Sequence, residues 1–139
     1  MSTENKCVIL IDDALSLGLV ANTAAILGMS LGKKHPELIG PDTLDGDQFL
    51  HSGIIYIPVP ILKSNRKNLF DLRNRLYQKD YQNIETVDFT NLAQSCKTYE
   101  EYMDRFQQMK ATDLQYMGIG LYGPKKIINK LTGNLSLLK

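Results

Sequence analysis

"LQYMGIGLYGPKKIINKL" (residues 114–131) joins a strand-like apolar run to a short basic helical run through Gly118, Gly120 and Gly123. The G-x-G-x-x-G spacing invites a dinucleotide reading. That site needs a further strand after the helix and an acidic residue about 20 positions on, to hold a ribose. Only 16 residues follow Gly123, and none of them is acidic. A narrower reading keeps the turn as an anion site, because unpaired N–H groups at a helix start carry partial positive charge. Lys125 and Lys126 in the first helical turn oppose the helix dipole, and a bound phosphate would offset that. The competing reading is packing: Gly118 and Gly120 permit close approach, and Gly123 sets the turn before Pro124. Packing is favoured, since lone glycine motifs recur by chance.

Working outward, "KCVILID" (6–12) is a continuous apolar run, as expected for a strand covered on both faces. Residues 19–35 follow as a helix with Val20, Ala24, Leu27 and Leu31 on one stripe. Its other positions are mostly small or apolar, which predicts burial nearly all round, with Ala21, Ala24, Ala25 and Gly28 letting it approach the sheet. Pro36 ends it. Residues 36–53 read as loop, with an Asp-Gly turn signal. "IIYIPVPIL" (54–62) reads as a strand that is at an edge or leaves the sheet, because Pro58 and Pro60 donate no ladder bond. Ser64 or Asn65 caps the next helix, striped by Leu69, Leu72 and Leu76. "IETVDFT" (84–90) reads as a strand. Thr98 and Glu101 form a capping box before a helix faced by Tyr99, Tyr102, Met103 and Phe106. The order β-α-β-α-β-α-β-α predicts a layered α/β fold, a sheet with helices on both faces.

A chain of 139 residues predicts a single domain over 1–139, with 1–5 as a flexible start. The net charge of +1 exerts no general pull toward nucleic acid or membrane. No apolar run approaches bilayer length and no signal peptide is present, so the expected setting is the cytoplasm, without membrane contact. Cys7 and Cys96 match neither a disulfide framework nor a zinc spacing, and Cys7 is expected buried and reduced. Asp42, Asp45 and Asp47 lack the spacing of a calcium loop and read as a polar turn. His35 and His51 lack metal-ligand spacing, so neither metal nor cofactor is expected. A pairing of Cys7 or Cys96 with His51 as nucleophile and base has no local support. Between Lys63 and Lys79 six basic residues face one acid, which marks helix 64–79 as a solvated face or a contact face for a partner or a second copy.

"NTAAILGMSLGKKHPELIGPD", "GIIYIPVPILKS" and "LQYMGIGLYGPKKIINKLTGNLSLL", in that order, resemble an uncharacterised bacterial family, the domain of unknown function numbered two thousand, over residues 6–139. The last of these stretches is also similar to the end of type II peptidyl-tRNA hydrolases, and "LSLGLVANTAA" is similar to their helix entry. That resemblance implies a mixed sheet of about four strands with helices on both sides. It matches Asp88 in "TVDFT" to the hydrolases' active-site aspartate. Where those enzymes carry a lysine before the first helix, this chain has Leu19, Val20 and Ala21. Where they open the last strand with threonine, it has Gln115 or Tyr116. Residues 91–112 are an extra segment. Without the lysine no acid or electrophile stands beside the aspartate for ester cleavage.

Asn22 and Thr23 are polar groups at a helix start, a common place for ligands beside the carboxyl ends of strands. Capping is the equal alternative. Asp12 and Asp13 end the first strand at the same edge, as loop anchors or as a base. The expected site is therefore a cleft lined by Asp13, Asn22, Thr23, Asp88, Gly118, Gly120, Gly123, Lys125 and Lys126. It would hold a small or phosphorylated ligand, with Asp88 as the one candidate catalytic residue. The alternatives are a hydrolase acting on peptidyl-tRNA or another ester, and a homodimeric or partner-binding module.

Overall fold

Strand β1 (Asn5–Asp12) occupies an inner position in a four-stranded sheet, ordered β4-β1-β6-β5. The computed structural model describes residues 4–139. β1 runs parallel to β4 (Ile61–Ser64) and antiparallel to β6 (Tyr116–Pro124), which pairs antiparallel with β5 (Glu85–Thr90). The molecule is thus α/β with a mixed four-stranded sheet. Being internal, β1 and β6 are covered on both faces, which is why both read as unbroken apolar or small runs. Cys7 is buried in β1 as a free thiol, and burial pushes its pKa up to about 11. Of the flexible start expected at 1–5, residues 1–3 lie outside the described residues, and Asn5 opens β1.

Helix α1 (Leu17–Lys34) packs on one face through Leu19, Val20 and Leu27 against Ile9, Ile11 and Met117. The opposite face carries α2 (Arg66–Leu76) and α5 (Lys125–Thr132), whose Leu69, Leu72, Leu76, Ile128 and Leu131 meet Val8, Leu10, Ile119 and Leu121. Alternate residues of β1 therefore feed two separate cores, as the two-residue period of a strand requires. Asn65 caps α2 by accepting from the Asn68 N–H at 2.8 Å. Residues 91–112 supply α3 (Asn91–Ser95) and α4 (Tyr99–Gln108). Thr98 caps α4 by accepting from the Glu101 N–H at 3.1 Å, but the Glu101 carboxylate reaches the N–H of Lys97.

Three expectations are corrected. Helix α1 is not buried all round: only Thr23, Leu27 and Leu31 are enclosed, and Ala21, Asn22, Ala25 and Met29 face outward. Its close approach comes from the strand, since Gly28 has nothing near its missing Cβ. A Cβ on Gly118 would lie 2.7 Å from Thr23 Cγ2, and one on Gly120 would lie 2.9 Å from Leu31 Cδ1. Second, the strand read over 54–62 lies at the sheet's edge and stops at the prolines as expected, but its extent is shorter and shifted, to Ile61–Ser64. Pairing begins at Ile61, and before it only the Pro60 carbonyl takes part, accepting from the Ile9 N–H at 3.0 Å. Third, the supposed loop 36–53 carries a hairpin, β2 (Thr43–Leu44) and β3 (Leu50–His51), on an arm projecting from the body. Periodicity could not reveal strands of two residues each.

Candidate functional site

β1 and β4 are parallel neighbours, yet α1 leaves β1 toward one face and α2 leaves β4 toward the other. Such a divergence opens a crevice outside the carboxyl ends of the two strands, where α/β sheets commonly bind ligands. Here a cavity of about 270 Å³ lies at that end. Leu15, Leu19, Tyr116 and Met117 form its apolar walls, and Asp12, Arg66, Asn91, Gln94 and Gln115 supply polar groups around them. Mostly apolar walls with a few convergent polar groups are the usual make-up of a small-molecule site. Asp12 is buried and accepts the Ala14 N–H at 3.0 Å, so it anchors the loop into α1. Arg66, at the start of α2, brings a positive charge next to a helix N-terminus.

A β-bulge shapes one wall. Phe89 pairs with Gly118 and Thr90 with Tyr116, leaving Met117 unpaired with β5. The extra residue shifts the alternation, so Met117 joins the α1-side core while Tyr116 joins the α2-side core.

The expected site residues are not gathered into one cavity. Asp13 is exposed at the same end of the sheet, its N–H donating to the Ser64 carbonyl at 3.2 Å. Asn22 is exposed on α1. Thr23 is fully enclosed, its hydroxyl donating to the Leu19 carbonyl at 2.7 Å and its methyl packed on Gly118. Gly118 and Gly120 lie within β6, not in a loop before a helix, and their faces are filled by Thr23, Leu27 and Leu31. Gly123 packs against Ile84 and the Asn83 carbonyl. Lys125 and Lys126 are exposed at the start of α5. Ile11 is level with Gly118 and Asn5 with Pro124, so the start of α5 lies about six residues, roughly 20 Å, from the entry to α1. The two ends that were expected to meet stand at opposite rims.

Asp88 belongs to a different cluster, on the α2 side of the sheet. Its Oδ2 accepts from Arg73 Nε at 2.7 Å, and the two side chains are only 17% and 14% exposed. The Arg73 guanidinium also sits 4.0 Å over the Tyr77 ring. Nearby, the Tyr116 hydroxyl is buried without a hydrogen-bond partner, as is that of Thr90. Burial, reinforced by the Asp88 charge, pushes the Tyr116 hydroxyl up to about 12. Burial also raises Tyr102, with the Asp88 charge adding to it.

Two larger clefts border the sheet elsewhere. One of about 470 Å³ surrounds His35, whose ring nitrogens each lie 3.2 Å from a carboxylate, of Glu37 and of Glu85. The other, about 440 Å³, follows the free edge of β5 between α1 and the α3–α4 segment. Cys96 on that cleft lies 3.7 Å from Arg105 Nη1, while His51 bonds Asp45 at 2.7 Å in the arm tip, so no Cys–His pair forms. Asp45 is the centre of the polar turn expected there, accepting from the N–H groups of Asp47 and Phe49. Among the described residues no three His, Cys, Asp or Glu side chains gather as metal donors. No helix among them is long and apolar enough to cross a membrane.

The helix entry singled out in the sequence opens at the same end of the sheet as this crevice, whereas Arg66, Asn91 and Gln94, which line it, were not among the residues the sequence singled out. Each comes from a different element than α1, and only strand order makes them neighbours.

The chain is similar to a solved structure of a protein of unknown function from Agrobacterium tumefaciens strain C58, with 18% identity, a TM-score of 0.87 and 98% of each chain covered. At that identity the likeness concerns the fold. No curated protein matches the chain. The family model described as protein of unknown function (DUF2000) matches residues 5–139, and the chain belongs to that family.

Proposed function

We propose that this protein binds a small, anion-bearing molecule, such as a phosphorylated metabolite, in the crevice outside the carboxyl ends of β1 and β4. The observation that carries the reading is the crevice itself: apolar walls of Leu15, Leu19, Tyr116 and Met117 at a topological switch point, with Arg66 at the rim. Asn91, Gln94 and Gln115 supply uncharged hydrogen-bonding groups that would orient the bound molecule. The fully buried, unpartnered hydroxyl of Thr90, next to Asn91, adds a polar group close to this wall. Asp13, exposed at the same end of the sheet, and Asn22, exposed on α1, serve in this reading as outer contacts. Thr23, Gly118, Gly120, Gly123, Lys125 and Lys126 take no part in it.

We further read the chain as one cytoplasmic domain with the fold of type II peptidyl-tRNA hydrolases. A mixed four-stranded sheet with helices on both faces is what that resemblance implies, and the order β4-β1-β6-β5 is consistent with it. Hydrolysis through Asp88 is the weaker alternative. Its carboxylate is held by Arg73, and no lysine lines the crevice, so ester cleavage lacks a free base and an electrophile.

A thermal-shift titration tests the reading, with inorganic phosphate, sugar phosphates, nucleoside monophosphates and tRNA as probes. A ligand at saturating concentration is expected to raise the unfolding midpoint by about 5 °C, and Arg66→Gln to abolish the rise. If no probe shifts the midpoint, or if the variant shifts as the parent does, the anion reading fails. Turnover of peptidyl-tRNA that disappears in Asp88→Asn would favour the hydrolase instead.

A further inference from the structure

Of the large apolar side chains that the molecule exposes, six fall on the projecting arm: Ile39, Leu44, Phe49, Leu50, Ile54 and Tyr56, between 42% and 79% exposed. The arm is nevertheless firmly built. At its neck the Gly40 N–H donates to the Ile54 carbonyl and the Tyr56 N–H to the Leu38 carbonyl, both at 2.8 Å. Gly53 lies so close to Gly40 that any side chain there would collide with the opposite leg, and its N–H donates to Asp42 Oδ1 at 2.9 Å. At the tip, Asp45 gathers two main-chain N–H groups and His51. Gln48, the one non-glycine residue with positive φ (69°) among the described residues, completes the turn. A two-stranded hairpin standing alone is marginal in water, and its apolar side chains normally supply the missing stability by packing on something. Here the arm's own chain leaves them uncovered.

We infer that this arm is the contact through which two copies of the chain associate, the arms meeting around a two-fold axis. The six side chains present an area on the order of 800 Å², the amount that a standard interface buries on each partner. Homodimer interfaces are also the more apolar kind. No lysine or arginine occurs between Lys34 and Lys63, so no cation guards the arm's short strand edges. The carboxylates of Asp42 and Asp45 are turned onto the arm's own main chain. An antiparallel edge-to-edge pairing of identical strands is self-complementary, which a two-fold contact requires.

Sedimentation equilibrium on the full chain tests this, from sub-micromolar to about 100 μM, where even a weak contact registers. The parent should sediment as a dimer. Phe49→Asp combined with Tyr56→Asp should weaken association on the order of 100-fold, while far-UV circular dichroism stays unchanged. Met29→Lys alters an apolar side chain that is 81% exposed outside the arm, and should leave the dimer intact. As a second measurement that does not depend on the double variant folding, Leu50→Cys in a Cys96→Ser background should be joined into a covalent dimer by a short bismaleimide. A monomeric parent at the highest concentration, a dimer indifferent to the arm substitutions, or failure of the cross-link would each overturn the inference. A monomeric parent that instead adsorbs to phospholipid vesicles would also overturn it.

Discussion

The two faces of β6 make an instructive pair. Toward α1 the strand presents Gly118 and Gly120, and the helix fills the space so fully that a methyl group on either would enter contacts under 3.0 Å. The one polar side chain enclosed in that seam, Thr23, satisfies its hydroxyl within its own helix. Toward α2 the same strand presents Tyr116, with an unpartnered buried hydroxyl near the largely buried ion pair of Arg73 and Asp88. At Gly118 and Gly120 the seam is filled and its one polar group satisfied, whereas at Tyr116 a buried hydroxyl is left without a partner. Gly118 and Gly120 of the pattern that resembles a phosphate loop thus mark a filled seam between strand and helix, with no room for a ligand. The groups able to do chemistry lie behind it and at the strand ends.

That contrast can be broken by substitution. The largest effect is expected from Gly118→Val, because the added atoms meet the Leu10 carbonyl as well as Thr23 and Leu27. Stability measured by urea unfolding should fall by about 3 kcal/mol or more. Gly18→Ala, with nothing near its missing Cβ, should be nearly neutral. A mild Gly118→Val would mean that the seam is looser than its distances indicate. Next in size is Asp88→Asn, which leaves the enclosed Arg73 guanidinium without its counter-charge. A loss of about 2 kcal/mol is expected, largely recovered when Arg73→Met is added. Equal losses in the single and double variants would show that the pair acts through packing alone.

Smaller effects sharpen the comparison. Tyr116→Phe removes an unpartnered buried hydroxyl and should raise stability by about 1 kcal/mol at neutral pH. In the fold that hydroxyl titrates at about 12 instead of its usual 10.0, so the native chain keeps the proton longer than the unfolded chain. Its contribution is complete below pH 10 and is lost as the pH rises from 10 to about 12. Alkaline unfolding of Tyr116→Phe should therefore decline less steeply across that window than that of the parent. Smallest of all, Lys125→Gln with Lys126→Gln should change stability by no more than about 0.5 kcal/mol and leave any thermal response to phosphate intact. Loss of that response in the lysine pair would return the anion site to the start of α5.

Local pattern specified the parts whose physics is local. The apolar stripe of α2, its Asn65 cap, Thr98 at the start of α4 and the doubly covered β1 follow from spacing and capping chemistry that act within a few residues. The packing alternative for Gly118 and Gly120 was also legible, because a missing Cβ matters wherever another element must come close. What the sequence could not supply was which segments become neighbours. Strand order β4-β1-β6-β5 sets the start of α5 at the rim opposite the entry to α1, and it gathers Asp12, Arg66, Asn91 and Gln115 around one crevice. It also turns Asp88 toward Arg73, and the bulge at Met117 decides which core each end of β6 serves. Those outcomes depend on contacts between residues far apart in the chain, and a local pattern carries no record of them.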